Sequence, residues 1–254
     1  MIDIHSHIVW GVDDGAPGME ESIAMLEAAG ESGTTEIVAT PHANAQYAYE
    51  PELVEDRIRE LAAKTGGKPK IHRGCEFHLN FDNVDHLLEQ PFRYTINGKQ
   101  YLLIECPDFH VGRHTDTVLR RLVDAGLTPI VAHPERNPVV RREVERLERW
   151  VELGCLTQVT ALSIVGGFGG SAKAASMRLL RRGLVHIVAS DTHDPVCRHP
   201  RLDEAYRIVR SRCDEDTAEI LFTDNPRAVV DGHSLAGGKM CPWQPETQWY
   251  QFWK

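Results

Sequence analysis

No apolar run of about 18 residues occurs in this 254-residue chain, which argues against a helical membrane span. Basic residues are outnumbered by acidic ones, 28 against 37, and a net charge of −9 disfavours non-specific attraction to nucleic acid or to an anionic membrane. The chain does not open on a basic segment followed by an apolar stretch, so the expectation is a cytoplasmic protein with no membrane insertion. The six cysteines, Cys75, Cys106, Cys155, Cys197, Cys213 and Cys241, include no Cys-x-x-Cys pair. Reduced thiols, most of them buried as small hydrophobes, are therefore expected. A cysteine phosphatase needs a thiolate with an arginine six positions later, but the residues found there are Phe81, Gly112, Ala161, Asp203, Glu219 and Thr247. A G-x-S-x-G elbow is missing as well, which removes the usual setting of a nucleophilic serine.

What is present is a repeated order of short β-branched runs and longer segments of helical periodicity. Strands are predicted at 2–4, 36–39, 70–74, 101–105, 129–132, 156–160 and 185–189. Between them, "MEESIAMLEAAGESG", "PELVEDRIRELAAKTGG", "HTDTVLRRLVDAG", "RREVERLERWVELG" and "SAKAASMRLLRRG" place apolar residues at helical spacing, each ending in glycine where a left-handed cap is expected. This alternation predicts an α/β fold whose parallel sheet is covered by helices and closed, or nearly closed, into a barrel. A length near 250 residues suits one such unit. The expected division is a single domain over 1–232 and an aromatic-rich extension over 233–254, after a Gly-Gly pair that reads as a hinge.

Metal-capable side chains fall at the carboxyl ends of six of these seven runs. His5 and His7 close the first, His42 the second, Glu76 the third, Glu105 the fourth, His133 the fifth, and Asp191 and His193 the seventh; Asp14 lies on the loop after the first. In a parallel α/β barrel these ends share one face, so residues nearly two hundred positions apart would converge. Residues i and i+2 of a strand point the same way about 6.6 Å apart, which lets His5 and His7 reach one ion. Most single histidines are surface or hydrogen-bonded core residues, and His72, His86, His186 and His233 are read so. Glu76 and Glu105 follow apolar strands, where a buried carboxylate needs a cation or hydrogen bonds. Imidazoles and carboxylates without thiolate suit Mn²⁺, Fe²⁺ or Zn²⁺, and nine ligands imply two or three ions. Four carboxylates against three divalent ions leave about +2, a pocket suited to a phosphate dianion and a hydroxide.

The runs "DIHSHIVWGVDDG", "ATPH", "GCE", "LIEC", "AHPERN", "QVTALSIVGGFG" and "VASDTHDPVCRHP", in this order and extending to "TDNPRAVV", resemble the PHP (polymerase and histidinol phosphatase) superfamily. Within it the chain is most similar to the bacterial tyrosine-protein phosphatases encoded with capsular and exopolysaccharide assembly systems. The resemblance implies a distorted (β/α)₇ barrel and a trinuclear site that usually favours Mn²⁺, with Fe²⁺, Zn²⁺ or Co²⁺ as other occupants. Carried over by position, it implies one ion on His5, His7, Glu76 and Asp191. A second is bridged by Glu76 to Glu105 and His133, and a third is held by Asp14, His42 and His193. Asp13 is expected to orient its neighbours. The phosphate-binding, catalytic arginines fall on Arg136 and Arg198, which can grip phosphate oxygens bidentately. One departure is Asn137, where such enzymes often carry an aromatic residue.

The implied activity is hydrolysis of phosphotyrosine by hydroxide held on the metals. The implied partner is a phosphotyrosine protein, the tyrosine-rich cytoplasmic tail of a kinase that regulates polysaccharide assembly. A phenolate leaves readily, since its parent pKa is about 10, and no general acid is assigned. Two other readings compete: a small-molecule phosphatase such as one acting on histidinol phosphate, and a non-catalytic binding module that keeps its metals for structure. Phosphate release from a phosphotyrosine peptide against release from histidinol phosphate separates the first. Binding of such a peptide without release identifies the second.

Overall fold

Nine short strands, all paired in parallel, form two sheets among the described residues of the computed structural model, which are 1–79, 83–107, 111–235 and 241. The strands are β1 (Ile2–Ser6), β2 (Glu36–Ala39), β3 (His42–Ala43), β4 (Lys70–Arg73), β5 (Glu76–His78), β6 (Tyr101–Glu105), β7 (Thr128–Ala132), β8 (Leu156–Thr160) and β9 (Ile187–Ala189). One sheet has the order β1-β2-β4, the other β3-β5-β6-β7-β8-β9. The alternating α/β order read from the sequence is present.

Two of the seven expected runs, 36–39 and 70–74, are each followed by a further short strand outside their bounds, β3 after β2 and β5 after β4. Pro41 has no N–H to donate, so the ladder of β2 stops before it and resumes as β3. Beside it, Gly74 separates β4 from β5 and donates its N–H to Ala39 O at 2.8 Å. A Cβ at Gly74 would meet Val38 Cγ1 at 2.7 Å, so only glycine permits this approach. At the opposite margin Ser6 pairs with Thr192 in a parallel bridge. There His7 N–H donates to Thr192 O and Asp191 N–H to His5 O, both at 2.9 Å.

The helices are α1 (Met19–Glu31), α2 (Pro51–Thr65), α3 (Val84–Glu89), α4 (Pro91–Tyr94), α5 (Arg113–Asp124), α6 (Val144–Glu152), α7 (Ala161–Val165), α8 (Gly169–Arg181), α9 (Asp203–Arg212), α10 (Glu215–Glu219) and α11 (Asn225–Asp231). Five of these fall on the five expected segments. The sequence reading assigns nothing to α9–α11, whose apolar positions are separated by charged ones and whose start signal, Asp214 accepting from Thr217 N–H at 2.7 Å, lies in an acidic run.

Alternation along the strands sorts two cores. Ile2 and Ile4, Val38, Tyr101 and Leu103, Ile130 and Ala132, and Ile187 and Ala189 share one buried cluster with Val229 and Val230 of α11. A larger cluster lies between the strands and helices, where Leu26, Leu61, Trp150 and Phe222 are buried. The carbonyls ending α11 are met by side chains: Asn97 Nδ2 and Lys99 Nζ donate to Val230 O at 3.0 and 3.2 Å, and Gln100 Nε2 to Gly232 O at 2.9 Å.

The cysteines depart from expectation. Cys213, closing α9, is disulfide-bonded to Cys241, with Cα atoms 5.2 Å apart. Twenty-eight residues separate them, and only the return of the chain onto α9 makes them neighbours. Cys75, Cys106 and Cys155 are buried thiols as expected, whereas Cys197 is exposed rather than packed. Of the extension read over 233–254, all but residues 233–235 and Cys241 lies outside the described residues.

Candidate metal centre

All nine candidate ligands meet: His5 and Glu105 lie on β1 and β6, His42 and Glu76 open β3 and β5 just beyond β2 and β4, and His7, Asp14, His133, Asp191 and His193 follow β1, β7 and β9. Glu76, fully buried at the start of β5, is the hub. Its Oε1 lies 2.9 Å from His133 Nε2, and its Oε2 lies 3.3 Å from both His5 Nε2 and His7 Nε2 and 3.1 Å from His42 Nδ1. Asp191 Oδ1 lies 3.4 Å from His5 Nε2 and 3.6 Å from His7 Nε2 and from His193 Nδ1. Asp14, about half exposed, faces His42 Nε2 at 3.3 Å and His193 Nε2 at 3.5 Å. His133 also reaches Glu105, at 3.7 Å.

Backbone conformation aims two of these side chains. His133 and Asp191 have φ of +31° and +52°, left-handed values that non-glycine residues adopt only when the surroundings hold them there. The bond from Asp191 N–H to His5 O and the one from Arg136 N–H to His133 O, at 2.9 Å each, fix both turns.

The arrangement of lone pairs shows that the residues fit divalent cations. His7 Nδ1–H donates to Asp13 Oδ2 at 2.6 Å, and His5 Nδ1–H donates to Gln158 Oε1 at 2.9 Å. With Nδ1–H committed to these acceptors, Nε2 is the nitrogen each ring turns to the site, where a metal ion can replace its proton. Those two Nε2 atoms stand 3.3 Å apart, with Glu76 Oε2 3.3 Å from each. Atoms so placed call for positive charge among them, which protons on the imidazoles or a bound metal ion supply. Glu76 Oε2 and His42 Nδ1 are moreover buried without a hydrogen-bond partner, as expected of atoms directed at a metal.

Electrostatics agrees. Burial pushes the Glu76 carboxyl up, but the imidazoles of His5, His133 and His42 outweigh it and hold the group well below its usual range. Burial also opposes charge on His7, yet Asp13 and Glu76 raise its pKa well above the ordinary value, a measure of how strongly this position attracts positive charge. Burial and the neighbouring His7 push His193 down to about 2, which keeps it neutral and able to ligate.

Three sets of potential ligand atoms lie within 4.8 Å of one another: His7, Asp14, His42 and His193; His5, His7 and Glu76; and His42, Glu76 and Glu105. They overlap the expected partition and differ from it in detail. His7 joins the third set, and His42 takes the place given to His133 in the second. Asp13 is not a member of any of them. Its two oxygens accept from His7 Nδ1–H, from His42 N–H at 3.0 Å and from Gly15 N–H at 3.0 Å. Gly15 has no room for a side chain, since a Cβ would lie 2.2 Å from His7 O.

Arg136 and Arg198 border the same bowl. Both donate to Asp191 Oδ2, Arg198 Nη2 at 2.7 Å. Asn137 does not face a ligand position. It is buried, its Oδ1 accepts from Val139 and Val140 N–H at 3.0 Å, and its Nδ2 donates to Pro107 O at 3.1 Å, so it pins the turn after β7.

Three contributors escape the search for metal-capable side chains. Gln158 lies on β8, the sixth expected run and the one without a ligand, and holds His5 instead. Asp3 Oδ1 accepts from His5 N–H at 3.2 Å and Ser190 N–H at 3.0 Å, joining β1 to the segment after β9. Phe168 lies against both arginines. The quoted run "QVTALSIVGGFG" contains Gln158 and Phe168. The signal was therefore present, without a role attached.

Residues 1–231 match the family described as capsular polysaccharide synthesis, CpsB/CapC. The chain is similar to tyrosine-protein phosphatase CpsB of Streptococcus pneumoniae, with 34% identity over 239 residues covering 91% of this chain and 98% of the relative. It is equally similar, at 34% identity over 92% of this chain and 93% of the relative, to tyrosine-protein phosphatase YwqE of Bacillus subtilis. A crystal structure from work on these two proteins, described as metal-dependent tyrosine phosphatases, superposes with a TM-score of 0.87 at 32% identity, covering 96% of this chain and 100% of the other.

Proposed function

The chain belongs to the CpsB/CapC family of capsular polysaccharide synthesis, and on that premise we infer that it is a metal-dependent protein-tyrosine phosphatase. The observation that carries this reading is the pair of imidazole lone pairs converging with a buried carboxylate oxygen beside two arginines. The strands form a distorted (β/α)₇ barrel, a reading supported by the interior cluster that β1, β2, β6, β7 and β9 share. His5, His7, Glu76 and Asp191 would hold one ion. Glu76, Glu105 and His133 would hold a second, and Asp14, His42 and His193 a third. The preferred metal is Mn²⁺.

Divalent ions held by these residues would supply an activated water and positive charge for phosphoester hydrolysis. The side chains contribute the rest. Asp13 and Gln158 lock the tautomers of His7 and His5. Burial keeps His193 neutral. Arg136 and Arg198 turn from Asp191 Oδ2 to the phosphoryl oxygens, each able to form two charge-assisted hydrogen bonds and to stabilise developing charge. The substrate is a phosphotyrosine-bearing protein, the tyrosine-rich cytoplasmic tail of a kinase of polysaccharide assembly, and the enzyme acts in the cytoplasm.

The test is phosphate release from a phosphotyrosine peptide, with histidinol phosphate as comparison, by chelator-stripped protein with and without Mn²⁺. The expected result is activity on the peptide that is lost on stripping, restored by Mn²⁺, and absent in His5→Ala and Arg136→Ala. Activity that survives stripping, or persists in both variants, would sink the mechanism. Preference for histidinol phosphate would reassign the substrate.

A further inference from the structure

The loop joining α7 to α8 carries one aromatic residue, Phe168, between Gly166 and Gly167 and the glycines that open α8, Gly169 and Gly170. Gly166 and Gly169 have φ of +112° and +84°, and a Cβ on Gly167 would lie 2.9 Å from Leu162 Cδ2. The positive φ at Gly166 and Gly169 favours glycine there, and the path they allow delivers a half-buried Phe168 ring to the arginines. The Cζ of Arg136 lies 4.4 Å from the ring centroid and that of Arg198 lies 5.8 Å from it. Both guanidinium groups also donate to the one oxygen Asp191 Oδ2, so two like charges stand side by side. A phenyl face is electronegative, attracts guanidinium groups within about 6 Å, and holds them by stacking without consuming their N–H donors.

We propose that Phe168 is a positioning residue for phosphate binding: its ring keeps Arg136 and Arg198 together and leaves their donors free for phosphoryl oxygens. The proposal rests on the phosphatase reading for its biological substrate, but phosphate binding tests it separately from turnover. An aliphatic side chain would fill the same space without the electronegative face, and this separates positioning from packing.

The experiment uses the full Mn²⁺-loaded chain as wild type, Phe168→Leu and Phe168→Trp. It follows inorganic phosphate binding by calorimetry, KM and kcat on a phosphotyrosine peptide, and melting temperature. Phe168→Leu is expected to melt with the wild type yet bind phosphate about tenfold more weakly, with the loss falling mainly on KM, while Phe168→Trp retains binding. If Leu lowers the melting temperature, Phe168→Met makes the same comparison. Equal phosphate binding by wild type and the aliphatic variants, equal loss in the aliphatic and Trp variants, or no phosphate binding by wild type would each overturn the proposal. Phosphate binding that depends on an aromatic at 168, in a protein that releases no phosphate from the peptide, would uphold it and sink the phosphatase reading alone.

Discussion

At the amino ends of the strands, Glu36 is paired with Arg227 of α11 and accepts from His72 Nε2–H at 2.7 Å, while Asn97, Lys99 and Gln100 satisfy the end of α11. At the carboxyl ends, the same residue types meet with opposite results: Glu76 and Asp191 are surrounded by imidazoles, and Glu76 Oε2 and His42 Nδ1 have no hydrogen-bond partner. Arginine supplies the counter-charge at one end. At the other the two arginines approach only Asp191, and the rest of the negative charge awaits cations. The amino end is thus built to be complete without help, and the carboxyl end to be completed.

Substitution of the hub tests that contrast most severely. Glu76→Gln removes the charge shared by two of the three candidate ligand sets, and both metal affinity and phosphate release should fall by more than the ~100-fold typical of losing an outer hydrogen-bond partner. Elemental analysis beside a phosphate assay checks it, and retention of full metal content would contradict the assignment. Next come the outer partners. Gln158→Leu and Asp13→Asn each free an imidazole to rotate or change tautomer, so Mn²⁺ affinity should fall roughly 10–100-fold. Competition with a fluorescent chelator measures this, and unchanged affinity in both would refute the lone-pair argument.

At the amino end the largest effect concerns protonation. Burial pushes His186 down to about 4, and its Nδ1 accepts from Thr157 N–H at 3.2 Å, so it is neutral in the fold. The unfolded chain, with an ordinary histidine, binds the extra proton first. This contribution is present above pH 6.5 and is lost as pH falls towards about 4, the loss reaching about 2 kcal/mol at pH 5. Denaturant unfolding of chelator-stripped protein should show this slope, and His186→Gln should flatten it. The smallest effect belongs to Arg227→Met, which leaves Glu36 with His72 alone. Arg227 is well exposed, so after solvent screening the loss should be about 1 kcal/mol. Because Arg227 holds Glu36 down to about 2, that loss is constant above pH 4.5 and vanishes as Glu36 protonates. Melting should register it, while kcat on a phosphotyrosine peptide stays at the wild-type value.

The strands and the candidate ligands were legible for one reason: both are written in local pattern, an apolar run followed by a histidine or carboxylate. Gln158 was not legible in this way, because an uncharged amide on a strand has no chemistry of its own until His5 is beside it. The split at Pro41 and Gly74 depends on two segments approaching closely, and the pairing of Cys213 with Cys241 on the chain folding back. Neither is encoded in spacing. Asn137 was read against the aromatic that related enzymes carry there, and its hydrogen bonds to Val139 and Val140 make it part of a turn.

The bridge between Ser6 and Thr192 has a consequence for biosynthesis. His5 and His7 leave the ribosome long before Asp191 and His193 are made. At about 5–20 residues per second, the interval is roughly 10–40 s. Throughout it the first two imidazoles have neither their last carboxylate nor the strand end that fixes it. Any chain stopped short of residue 191 lacks two of the nine candidate ligands, Asp191 and His193, so the proposed centre is complete only after β9 has been made.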